Sequence, residues 1–178
     1  TREIDALGGE MARAIDATGI QFKMLNRSKG AAVHSPRAQA DRFRYVDYMT
    51  EVCCTTKNLS LREMEVADFL VEDGKIHGVV ATDGAEIAAR AVIVCTGTYL
   101  RGLLHYGMES RPGGRGNAAA ANSLSSAYTR LGFTLGRLKT GTCARIHKDS
   151  VNYDLLQEQP GDDNPRPFSF STPVENFN

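Results

Sequence analysis

The run AVIVCTGTYL, residues 91–100, constrains the fold of this chain more than any other stretch. Its first five residues are apolar without interruption, with Val92, Ile93 and Val94 at the centre, and they stop abruptly at Thr96-Gly97-Thr98. A short continuous apolar run of this kind predicts a strand buried on both faces. Such strands sit in the middle of α/β domains. Thr96, Gly97 and Thr98 then fall at the strand's carboxyl end, where open α/β sheets bind ligands, and Gly97 lets a ligand approach the backbone closely. Taken alone, the stretch reads better as a core strand followed by a hydroxyl-rich turn with no ligand.

The segments before it supply the context. Residues 2–17 place Ile4, Leu7, Met11 and Ile15 at helical spacing, predicting an amphipathic helix bent at Gly8-Gly9 and stopped at Gly19. In IQFKMLN, Ile20, Phe22 and Met24 alternate with Gln21 and Lys23, the pattern of a half-buried strand. Ser35-Pro36 reads as a helix start, Ser as cap and Pro at the first helical position, with the helix running to about Cys54 and burying Val46, Met49 and Cys53. Arg37 and Arg42 in its first turns oppose the positive helix end, which points to a function for Arg37 and Gln39.

From Leu59 the period becomes two. Asp73-Gly74 and Asp83-Gly84 are strong hairpin signals, so a three-stranded antiparallel meander delivers the chain into the buried strand at 91–95. The element order is that of part of a two-dinucleotide-binding, Rossmann-like α/β flavoprotein fold, though the GxGxxG loop that opens such a domain is absent. Gly113-Gly114-Arg115-Gly116 then precedes a helix with Leu124, Ala127, Tyr128 and Leu131 facing inward, and a glycine loop there suits an anion. GRLKTGTCARIH, with Lys139 and Arg145, is similarly basic and flexible, and NYDLLQEQPGDDNPRPFSF is expected to wander over a surface.

Composition excludes several classes. The 178 residues are 42% hydrophobic and 24% charged, as in an ordinary soluble domain. No apolar run approaches the roughly 20 residues of a membrane span, and the amino end lacks a signal-peptide pattern, so a cytoplasmic protein is expected. Cys53, Cys54, Cys95 and Cys143 show no CxxC spacing, and the histidines show no ligand spacing, so no metal is expected. Net charge is zero, yet residues 101–148 carry eight Lys or Arg against the single acid Glu109. Such a segment suits phosphates of a cofactor or of nucleic acid, or forms a solvated surface balanced by the acidic stretch at 149–165.

Six ordered segments together resemble the glucose-inhibited division protein A family: EIDALGGEMARAIDATGIQFKMLNRSKG, SPRAQADR, CTGTYLRGLLHYG, GGRG, LGFTLGRLKTGT and DNPRPFSF. The resemblance covers essentially the whole chain. It implies an internal fragment of a longer FAD-dependent enzyme that installs a carboxymethylaminomethyl or aminomethyl group at carbon 5 of the tRNA wobble uridine. It implies NADH as reductant, a GTPase partner (MnmE-like), a homodimer, and catalytic cysteines outside this segment.

The resemblance also assigns residues. Val66 matches a position whose backbone meets the adenine end of FAD. Thr96, Gly97 and Thr98 match the turn beside the cofactor, and Arg37 and Gln39 match a motif near the flavin ring or its substrate pocket. Gly114, Arg115, Lys139 and Arg145 are assigned to the flavin pocket or to a tRNA-facing surface. Residues 1–100 are expected to form a partial FAD-binding domain, and residues 101–178 a basic, glycine-rich and helical region leading into an insertion. Where the family has Gly-Pro-Ala-Val this chain has Gly30-Ala31-Ala32-Val33, two prolines after GRLKTGT are replaced by Cys143-Ala144, and a FAD-contacting Ser is replaced by Ala121, with Ser123 two residues on. Lost prolines loosen a loop without removing a chemical group. The alternatives are a folate- and FAD-dependent tRNA uracil-5 methyltransferase relative and a non-catalytic RNA-binding module. The segment alone is expected to fold poorly and to catalyse nothing, because the strand at 91–95 lacks a neighbour.

Overall fold

A computed structural model describes residues 1–115 and 118–177. Gly116 of the glycine loop lies outside the described residues. The chain forms two compact units, one of Thr1–Leu61 with the stretch from Arg145 onward, the other Arg62–Ala144. Residue 100, the expected end of the partial cofactor domain, falls inside the second unit.

In the first unit the opening amphipathic pattern becomes two helices, α1 (Arg2–Ala6) and α2 (Met11–Thr18). They part at Gly8, whose φ of +88° favours glycine. The expected apolar stripe is not the buried one: Ile4, Leu7 and Met11 are exposed, whereas Ala12, Ala14 and Thr18 are buried. β1 (Gly19–Leu25) pairs antiparallel with β2 (Ser35–Ala40).

Residues 35–40 are therefore a strand and not the first turns of a helix. Pro36 lacks an N–H to donate, which an edge strand tolerates. The helix starts at α3 (Arg42–Thr55), where the Asp41 carboxylate accepts from the N–H groups of Phe43 (2.9 Å) and Arg44 (3.1 Å). Asp41 offers a cap that also suits the helix dipole, and strand pairing uses up Ser35 and Pro36. None of α3's side chains is fully buried; Val46 is exposed, and Met49 and Cys53 are half-buried.

The expected surface wanderer at the chain's end is fastened to this unit. Asp16 accepts from the N–H groups of Phe168 and Ser169 and from the Thr172 hydroxyl, while Asp5 accepts from the Ser169 hydroxyl and the Phe170 N–H. Phe22 packs against Phe168 and Phe177, with ring centroids 6.2 and 4.6 Å away. Upstream, the N–H of Asp162 donates to the Phe22 carbonyl, and its carboxylate accepts from the Met24 N–H and from Arg27. Turn composition predicts a free surface path, but two carboxylates on neighbouring helices supply acceptors for consecutive backbone donors.

The second unit contains the expected meander, β3 (Val66–Glu72), β4 (Lys75–Ala81) and β5 (Glu86–Ala88), in that order in one antiparallel sheet. Asp73 and Gly74 both have positive φ, 49° and 73°, as a tight two-residue hairpin turn requires. Gly78 faces β5 so closely that a Cβ there would lie 2.1 Å from the Ile87 carbonyl oxygen. A second hairpin, β6 (Leu103–Tyr106) and β7 (Glu109–Pro112), turns at Gly107 and Met108. Helix α4 (Leu124–Arg130) buries Leu124 and Ala127. It packs Tyr128 edge-on against Phe69 of β3 (5.3 Å) and against Phe133 (5.7 Å).

The run at 91–95 forms no strand. Ile93 is 88% exposed and Val94 is also exposed. Apolar content favours burial, but a strand exists only where another strand receives its N–H and C=O groups, and none of the described strands pairs with these residues. Among the described residues no helix is long and apolar enough to cross a membrane.

Candidate functional site

Most of the expected site residues fall into two groupings, each inside one unit; Lys139, in the second unit, and Arg145, which opens the first unit's second stretch, join neither. In the second unit, Val66 opens β3 opposite Ala81. The residues beside it reach α4: the Ser123 hydroxyl donates to Glu65 at 3.4 Å, and Arg130 is paired with Asp68. The hydrogen bond from Arg130 holds the Asp68 carboxyl below the usual carboxylate range, against the opposing effect of burial. The beginning of β3 is thus fixed at two points to the segment that carries Ala121 and Ser123.

That segment also meets the turn. Leu100 forms a parallel bridge with Ala121, with Arg101 N–H donating to the Ala121 carbonyl (2.8 Å) and Ala121 N–H to the Tyr99 carbonyl (2.9 Å). The Tyr99 N–H closes the turn onto the Thr96 carbonyl at 3.0 Å. At the turn's centre Gly97 has φ +54°, and a Cβ there would meet nothing within 4 Å. Thr96 is half-buried and Thr98 exposed. Among the described residues neither threonine hydroxyl makes a side-chain hydrogen bond, so the turn presents free hydroxyls beside open space.

Gly114 has a packing reason. The Tyr99 ring lies where its side chain would be, with Cδ1 only 2.1 Å from an ideal Cβ. Gly113 N–H donates to the Gly102 carbonyl, which brings the glycine loop against the turn. Arg115 is exposed beside it, and Lys139 and Arg145 are exposed on a stretch without regular structure.

In the first unit, Arg37 and Gln39 stand on β2, directly opposite Lys23 and Gln21 of β1. Cross-strand partners share a face, so these four polar side chains lie together, while Phe22, Met24, Pro36 and Ala38 take the other face. The Arg37 guanidinium donates to the Gln21 side-chain oxygen at 3.3 Å, and the Gln21 amide donates to the Gln159 carbonyl at 3.0 Å. The sequence alone does not mark Lys23 and Gln21 as site residues. Their alternation in IQFKMLN contained the signal, which became readable only once 35–40 was a strand in register with it.

A model of the family described as "Glucose inhibited division protein A" matches residues 1–177. The chain is 54% identical over 173 residues to the tRNA uridine 5-carboxymethylaminomethyl modification enzyme MnmG of Chlorobium phaeobacteroides, covering 97% of this chain and 28% of that protein. To the protein of the same name from Aquifex aeolicus it is 50% identical over 177 residues, 99% of this chain and 29% of that protein. The solved structure of Aquifex aeolicus GidA superposes with a TM-score of 0.89 at 50% identity, over 96% of this chain and 28% of that one. A GidA-related protein from Thermus thermophilus shares the fold over 54% of this chain, with a TM-score of 0.50 at 21% identity. The chain thus spans little more than a quarter of the length of the curated relatives it matches, and its mixed α/β architecture is that of the corresponding part of GidA. From its first residue to 177, the chain belongs to the glucose inhibited division protein A family.

Proposed function

We propose that this chain is part of an FAD-dependent enzyme that installs carboxymethylaminomethyl or aminomethyl at carbon 5 of the tRNA wobble uridine. The relatives' shared name, at half identity across nearly the whole chain, is the observation that carries the reading. The turn at 96–98 fits a bound dinucleotide: Gly97 leaves open space where a Cβ would stand, two unengaged hydroxyls flank it, and the start of β3 is fixed through α4 to the strip that follows the turn. Val66, through its backbone, and Thr96, Gly97 and Thr98 would hold the cofactor, with Arg37 and Gln39 serving the flavin ring or the substrate pocket. When bound, the flavin supplies the redox chemistry that carries a one-carbon unit from a folate to the base.

The chain's own contribution is binding and orientation. The glycine at 97 keeps the approach clear of side chain, and the pairing of 99–101 with 121 fixes the turn's direction. Arg115, Lys139 and Arg145 would meet tRNA phosphates with other bases of the 101–148 segment. NADH as reductant, a GTPase partner, a homodimer and a cytoplasmic site of action belong to the same reading, as does a cofactor-bearing part ending near residue 100. The 178-residue segment by itself would be inactive.

The test is nucleoside analysis of tRNA from a bacterial strain lacking its own enzyme and supplied with the full-length protein. Restored carboxymethylaminomethyluridine or aminomethyluridine at the wobble position is expected. Wobble uridine left unmodified while the protein accumulates folded would overturn the assignment.

A further inference from the structure

The β1–β2 ribbon contains a charge arrangement that strand stability does not explain. Its register sets Lys23 directly opposite Arg37 and Gln21 directly opposite Gln39. Directly opposed residues have Cβ atoms about 5 Å apart, and like charges so placed destabilise a sheet. Neither cation is in an ion pair with an acid among the described residues; the carboxylate bound to the ribbon, that of Asp162, accepts from the Met24 N–H and pairs with Arg27. The contacts the two cations do make are with neutral groups. Lys23 donates to the Pro160 carbonyl (2.9 Å) and the Gln159 side-chain oxygen (3.4 Å), and Arg37 to the Gln21 side-chain oxygen (3.3 Å).

These contacts orient the cations and leave capacity over. A lysine ammonium has three donors and a guanidinium five, so one remains on Lys23 and more on Arg37. Gln21 and Gln39 flank the pair with amide groups on the same face. Arg37 and Gln39 are exposed, whereas Lys23 and Gln21 are half-buried beneath the 159–160 segment. The result is a pre-oriented donor cluster in search of an anion with several acceptor oxygens.

We propose that Lys23 and Arg37, flanked by Gln21 and Gln39, form a binding site for a phosphate group. A phosphate presents more acceptor oxygens than a carboxylate, which matches donors converging from two strands, and its charge converts the cation repulsion into attraction. The phosphate belongs either to the RNA backbone or to a dinucleotide. Only the RNA source rests on the tRNA reading; phosphate binding does not.

The experiment follows the melting temperature of the full-length protein in inorganic phosphate and in chloride of equal ionic strength, for wild type, Arg37→Gln and Lys23→Gln. Wild type is expected to gain stability in phosphate, and each variant to lose that gain, with phosphate affinity down by about tenfold, the ratio that about 1.4 kcal/mol represents. In low-salt chloride, Arg37→Gln is expected to melt at or above wild type, because it removes a like charge. A phosphate response equal in all three proteins overturns the proposal, as does an Arg37→Gln variant that is weakened equally in both buffers, the mark of a purely structural arginine. Once the response is lost in the variants, two titrations identify the source. A tRNA-binding salt slope shallower by about 0.7 to 0.9 means one RNA phosphate is no longer neutralised. An unchanged slope with weakened dinucleotide affinity assigns the site to the cofactor.

Discussion

Two apolar stretches in the second unit have opposite fates. The meander β3–β4–β5 pairs within itself, and each strand finds its hydrogen-bond partners across a turn of two or a few residues. The run at 91–95 follows it directly, is the more hydrophobic of the two in appearance, and has no ladder and little burial. The difference shows what a hydrophobic run specifies. It says that something will cover these side chains, and leaves open what. Local pairing is encoded in the turn residues, whereas a partner distant in sequence leaves no mark on the run itself.

The contrast has measurable consequences, beginning with the largest. Gly78→Val would drive a side chain into the Ile87 carbonyl, whose oxygen lies 2.1 Å from where a Cβ would stand, at a φ of +156°. We expect the ladder to lose about 3 kcal/mol or more, read as faster amide exchange at Val79 and Ile87. Unchanged exchange would mean the meander does not hold the chain as described. Tyr128→Ala, which removes the ring between Phe69 and Phe133, should cost about 2 kcal/mol, less than a fully buried aromatic would. Its effect should appear in the exchange of β3, and a loss confined to the 131–138 stretch would break the link between helix and sheet.

A smaller effect tests the first unit, where partners are side chains and not strands. Hydrogen bonds from the Phe170 N–H and the Ser169 hydroxyl hold the Asp5 carboxyl below its ordinary value of 3.8. A carboxylate with a depressed native value stabilises the fold fully above its unfolded value, and that contribution is lost as pH falls through the native one. Protection of the Phe170 amide should therefore persist from neutral pH to about 4 and decline below it, and the decline should be absent in Asp5→Asn. Smallest of all, Ile93→Thr in the full-length protein should change stability by no more than about 0.5 kcal/mol if Ile93 is as exposed there as in this chain. A larger loss would show that the run is covered in the whole molecule.

The meander was legible because Asp-Gly turns and period-two alternation are local and mutually consistent. The hairpin β6–β7 was not, since Gly107-Met108 is a weak turn signal beside the glycines that follow. Ser35-Pro36 looked like a helix start and proved to be a strand, because cross-strand pairing with β1 outweighed a local cap and Asp41 offered another one six residues on. The turn at 96–98 was recognised from its composition, but its support was not: Ser123 with Glu65, Arg130 with Asp68, and the Tyr99 ring on Gly114 join residues far apart in sequence. The polar face of Lys23, Gln21, Arg37 and Gln39 was half visible, two residues in each of two segments whose register only the structure provides.

The visible absorption spectrum of the full-length protein, recorded before and after adding NADH, tests the central claim most directly. Flavin bands that bleach on reduction are expected, retained through purification and weakened when Gly97→Val fills the open space beside the turn. A folded, colourless protein that cannot be loaded with FAD would contradict it.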